Sequence, residues 1–156
     1  MNKADLTAIL LGGFVAGTID VGAAALINML SPIFVMKVIA GGLLGKAALG
    51  GGAGTACLGL VLQWAMSLII AAIYVVGSHR FPVLRTRWIA YGLAYGVPVF
   101  LVMNYVVLPL SAWGKAPNFT VTTFAANLLA MLLFGLIIAF FARRAASATT
   151  GIGGMQ

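Results

Sequence analysis

The chain has 156 residues, of which 63% are apolar and only 7% charged, and it carries a formal net charge of +7. A soluble domain of this size could not cover so large an apolar fraction with so little polar surface. A transmembrane β-barrel is excluded as well, because the apolar stretches are continuous rather than alternating. The expected fold is an all-α membrane protein forming one polytopic domain over residues 1–156.

The first apolar run, Leu6–Ile27, is long enough to cross a bilayer as a helix. Lys3 ahead of it and the small residues Ala23, Ala24 and Ala25 resemble a secretory signal. Asp20, an acid inside the apolar stretch, argues against that, and the segment is expected to stay with the chain. The other carboxylate, Asp5, is expected to lie exposed at the N-terminus.

Ser31-Pro32 reads as an N-cap followed by a first-turn proline, so a helix starts there. Lys37, Gly41, Gly42, Gly45 and Lys46 interrupt its apolar residues, and Gly50-Gly51-Gly52 ends it. The segment 31–52 is therefore expected to be a short interfacial or re-entrant helix. A phosphate-binding loop is rejected here. Ala40 stands where its first glycine should be, and Ala47 replaces the hydroxyl residue after Gly45-Lys46.

Three more spans are expected at about 54–77, 88–113 and 120–142, making four transmembrane helices, followed by a mobile tail over 145–156. Trp88 and Trp113 bracket the third span as interfacial anchors. Pro98 and Pro109 can kink it. Four spans put Lys3, Arg80, Arg85, Arg87, Arg143 and Arg144 on one side, against Lys37, Lys46 and Lys115 on the other. By the positive-inside rule both termini are then cytoplasmic. A fifth span would place the Arg80, Arg85 and Arg87 loop and the Arg143 and Arg144 end opposite Lys3.

Each span carries one strongly polar residue: Asp20, Gln63, Asn104 and Asn127. At a rise of about 1.5 Å per residue, all four fall about 10–13 Å from the outer helix ends, in one slab. Small residues at helical spacing around them, Gly13, Gly17, Gly59, Gly92 and Gly96, let helices approach closely. Two readings follow. The four residues form a hydrogen-bonded staple between helices, or Asp20 is a proton or cation site lined by the amides.

Cys57 and His79 are the only residues of their kinds. That leaves no disulfide within the chain and no cysteine or histidine cluster for a metal, and Cys57 reads as a small buried hydrophobe. No cofactor is implied. No carboxylate pair, Ser/His/Asp set or Cys/His pair is evident, so an enzyme is not expected. Arg80, Arg85, Arg87, Arg143 and Arg144 suit anionic lipid headgroups, and nucleic acid is not an expected partner.

Ala16-Gly17-Thr18-Ile19-Asp20 and Met103-Asn104-Tyr105-Val106-Val107-Leu108-Pro109-Leu110-Ser111, together with the glycine-rich segment Ile33 to Gly52, resemble a family of small uncharacterised bacterial inner-membrane proteins. The resemblance implies a four-helix bundle in the bacterial cytoplasmic membrane and brings no activity or cofactor with it. The expected function is that of a non-enzymatic accessory or structural subunit, packing against itself or within a larger membrane complex. The alternative is a small proton- or cation-coupled transporter centred on Asp20.

Overall fold

The computed structural model describes residues 2–152, with side chains through Ser147, and the regular structure among them is entirely helical. Helix α1 covers Lys3–Ile27, α2 Pro32–Leu44, α3 Ala53–Arg80, the short α4 Val83–Thr86, and α5 Trp88–Val102. A π-helical turn, Met103–Val107, carries α5 into a last turn, α6 (Leu108–Leu110), and α7 runs over Val121–Ile152. Five helical stretches are long and apolar enough to cross a membrane: Lys3–Ile27, Pro32–Gly50, Ala53–Arg80, Trp88–Leu110 and Val121–Ser147. This is the pattern of a multi-pass membrane protein.

The second stretch is longer than a short interfacial helix. Helix α2 passes at Gly45 into a 3-10 helix, Gly45–Gly50, which rises more steeply per residue. Their summed contour length is about 30 Å, comparable to the hydrocarbon core. Gly45, in the left-handed region at φ 66°, interrupts the α-helix, and the helical stretch ends at Gly50 ahead of Gly51 and Gly52, as expected.

Contacts along the helices fix the arrangement. Gly13 of α1 faces Leu68 of α3, Gly17 faces Ser67, and Asp20 meets Gln63. This descending register makes α1 and α3 antiparallel, so Ile27 and Ala53 lie at the same end of the bundle. The connecting segment 28–52 therefore starts and finishes at one end. Helix α7 pairs antiparallel with α5 through Gly92 against Ala139 and Gly96 against Leu132, and Gly12 of α1 faces Phe141. Helices α1 and α5 thus pack on α7, while α1 and α2 pack on α3. The main core lies where these helices meet, around Ala16, Ala71, Val75, Val99, Phe134 and Ile138.

Segment α2 is fastened by the loop after α6. Trp113 Nε1 donates to the Val38 carbonyl (3.1 Å), Ala112 N donates to the Gly42 carbonyl (2.8 Å), and the indole covers Gly41. Trp113 is thus a tertiary contact, half-buried on α2. Trp113→Ala should loosen the glycine-rich stretch after α2 and speed proteolysis between Gly45 and Gly52, measured on the folded protein in detergent. Trp88 packs near Phe140, with the Arg143 guanidinium over its ring at 5.4 Å.

Two further expectations change. Cys57 is exposed on α3 rather than buried. The chain beyond 145 does not leave the helix, because α7 continues to Ile152 and Ala145 is buried in the core. The remainder of the expected tail, 153–156, lies outside the described residues.

Candidate functional site

Asp20 sits on the α1 face that packs on α3, three residues after Gly17. Glycine at 17 brings the helices so close that a Cβ there would strike Ser67 Oγ and lie 3.0 Å from its Cβ. That approach lets Gln63 Nε2 reach Asp20 Oδ2 at 2.8 Å, with a longer contact to the Gly17 carbonyl at 3.4 Å. Beside it, Trp64 Nε1 donates to Thr18 Oγ1 at 3.1 Å, and Ser67 Oγ donates to the Gln63 carbonyl at 2.8 Å. The indole of Trp64 also meets Phe14 edge-on, with centroids 5.1 Å apart. Asp20 is therefore one end of a polar seam joining α1 to α3.

The other two amides do not join it. Asn104 Nδ2 donates to the Phe100 carbonyl (2.9 Å), and Asn127 Nδ2 to the Thr123 carbonyl (2.7 Å). Each bonds four residues back along its own helix. A common depth does not set a common azimuth, since each residue turns a helix by about 100°. Asn104 lies in the π-helical turn that precedes Pro109. Proline lacks the N–H that would continue the α ladder, and such a wider turn often accommodates the loss.

The second carboxylate has a larger role than its position suggests. Asp5 is 2% exposed. It closes a capping box with Asn2, Asp5 N donating to Asn2 Oδ1 (2.8 Å) and Asn2 N to Asp5 Oδ2 (2.9 Å). Its oxygens also lie 3.1 Å from His79 Nε2 and 3.6 Å from Arg85 Nη2. Arg85 Nε donates to the buried Ser78 Oγ at 2.8 Å, and its Nη2 lies 3.2 Å from His79 Nε2. This clamp ties the start of α1 to the end of α3 and to α4. Sequence reasoning missed it. The available signal was Asn2 with an acid three residues on, just ahead of an apolar run.

The predicted packing glycines all lie at helix crossings within the chain. Gly13 and Gly17 face α3, Gly59 faces the Met36 backbone of α2, and Gly92 and Gly96 face α7. Gly135, which the sequence reading did not single out, meets the backbones of Gly92 and Gly96 from the α7 side.

The arginines divide by function. Arg85 is engaged in the clamp, while Arg143 and Arg144 lie over the rings of Trp88 and Phe140. The side chains of Arg80 and Arg87 are exposed and make no hydrogen bond or ion pair among the described residues. Comparison with family models, curated proteins and solved structures finds no match. Among the described residues no group of three or more histidine, cysteine or acidic side chains is placed to hold a metal.

Proposed function

We propose that the chain is a non-enzymatic scaffold of a bacterial cytoplasmic membrane, an accessory or structural subunit that packs with copies of itself or within a larger membrane complex. The observation that carries this reading is the Asp20–Gln63 pair. The carboxylate in the first span accepts an amide hydrogen bond from the adjoining helix, and the neighbouring hydroxyl and indole groups are likewise bonded across or along α1 and α3. Such bonds fasten helices in a membrane.

Four of the five long helices cross the membrane in this reading, with segment 31–52 remaining at the outer end. The antiparallel register of α1 and α3 supports this, because both ends of that segment belong to one end of the bundle. So does the attachment of α2 to Ala112 and Trp113 after the third span. The termini and the loop between α3 and α5 then share the arginine-rich, cytoplasmic side.

Asp20→Asn should leave folding and assembly in place, because an amide still bonds Gln63. Asp20→Ala should cost about 1 kcal/mol, within the span of interhelical hydrogen bonds in membranes. Thermal unfolding in detergent measures both. In liposomes neither variant should change proton or cation flux, and an Asp20-dependent conductance would replace the scaffold reading with that of a carrier. Recovery from native membranes solely as a partner-free monomer would also overturn it.

A further inference from the structure

Helices α3 and α5 scarcely touch along their length, although both lie beside the same bundle. The Tyr74 and Tyr95 rings meet between them at 5.0 Å, and Tyr95 Oη donates to the Ile70 carbonyl at 2.9 Å. Tyr74 Oη donates to the Leu84 carbonyl at 3.0 Å. These rings prop the helices apart and leave a groove. One part, of about 280 Å³, runs along Met66, Ile70 and Ile73 opposite Tyr95, Pro98 and Val102. The next, of about 350 Å³, shares Ile73 and Tyr95 and continues past Gly77 and Tyr91 to Leu84.

The residues lining both parts are uncharged, but each wall leads in helical phase to an arginine. Met66, Ile70, Ile73, Gly77 and Arg80 recur at three- or four-residue intervals and so form one stripe of α3. Arg87, Tyr91, Tyr95, Pro98 and Val102 recur in the same way at the start of and along α5, where Tyr91 N bonds the Arg87 carbonyl. Both stripes end in an exposed arginine on the arginine-rich side. From Tyr91 to Val102 the apolar part is about 16 Å long, close to one leaflet of a 30 Å core.

We propose that this groove binds one anionic phospholipid of the leaflet on the arginine-rich side, with an acyl chain along Ile70, Ile73 and Tyr95 and the phosphate held by Arg80 and Arg87. An apolar chain with a negative head matches both ends, whereas a helix of a second copy would match only the apolar part. The proposal requires only that the chain spans a membrane, and it is independent of the scaffold reading.

The test uses the full chain purified in zwitterionic detergent, with phosphatidylglycerol and phosphatidylcholine of identical acyl chains added at equal concentration and retained lipid counted by native mass spectrometry. Two basic residues near an anionic head at the usual strength give a preference of about thirtyfold for phosphatidylglycerol. Arg80→Gln with Arg87→Gln should reduce it to near unity, while Arg143→Gln with Arg144→Gln leaves it intact. Gly77→Phe should lower retention of both lipids, since a Cβ there meets only Leu84 Cδ1 at 3.9 Å and the ring can enter the groove without displacing backbone. Equal retention of the two lipids would overturn the proposal. So would a preference that follows Arg143 and Arg144, or a dimer that Gly77→Phe dissociates while lipid retention is unchanged.

Discussion

Gly96→Leu is expected to unfold the bundle or separate α5 from α7, with a loss above about 3 kcal/mol, beyond the usual range for overpacking. The reason is what lies opposite. A Cβ at Gly96 would sit 2.6 Å from Leu132 Cα and 2.8 Å from Leu132 N, besides meeting the Met131 carbonyl oxygen. These are backbone atoms of α7, and no rotamer change moves them. A Cβ added at Gly135 would in turn sit 2.8 Å from Gly96 N, so the two helices meet backbone to backbone. Gly96→Ala should already destabilise, by less than the leucine variant. Gly22→Ala is the control, because nothing lies within 4 Å of its added Cβ, and it should be neutral or slightly stabilising. Thermal unfolding in detergent ranks the three. A Gly96→Leu protein as stable as Gly22→Ala would mean that α5 and α7 are not joined along this line.

Asp5→Ala is expected to cost about 2–3 kcal/mol. Loss of half a capping box accounts for about 1 kcal/mol. The remainder comes from leaving Arg85 and His79 without their buried carboxylate. Removing one member of a fully buried pair costs about 3–5 kcal/mol. Here His79 is 45% exposed and Arg85 20% exposed, so water takes over part of the lost interaction and the effect should fall below that range. Asp5→Asn should lose less, since its amide oxygen still accepts a hydrogen bond. A double-mutant cycle of Asp5→Asn with Arg85→Gln should give a coupling of about 1 kcal/mol, as expected for residues in contact. If Asp5→Ala unfolds within about 0.5 kcal/mol of the parent protein, a surface-like effect, the clamp contributes nothing to stability.

The two carboxylates illustrate what is legible in a sequence. Asp20 drew attention because an acid in an apolar run has a known cost. Its depth matched that of Gln63, and small residues marked the face on which they meet. Asp5 lacked that contrast. Three residues into a helix, near a terminus, an acid is ordinary, and its partners His79 and Arg85 are more than 70 positions away. No local pattern encodes such a distance.

Asn104 and Asn127 were equally visible but misleading as partners for Asp20. Their depths agree with Asp20, but depth follows from counting residues whereas azimuth depends on how the whole helix is rotated against its neighbours. The packing glycines lay between these cases. Gly13, Gly17, Gly59, Gly92 and Gly96 were legible as close-approach positions, but whether they faced another chain or this one was not. All five meet helices of this chain, which removes them as evidence for an external partner.

Composition alone determined that this chain belongs in a membrane as a bundle of helices, because 63% apolar residues in long continuous runs leave no other means of satisfying the backbone in lipid. Hydropathy and turn residues also located the long helices to within a few residues, Pro32–Gly50 included, apart from the extension of α7. The tertiary structure decided which polar groups meet, which arginines are engaged, and where α3 and α5 stand apart. The physical reason is range. Hydropathy acts on each segment separately and is written along the chain, while pairing depends on the register and rotation of whole helices, set by backbone contacts at a few glycines and aromatic rings far apart in sequence.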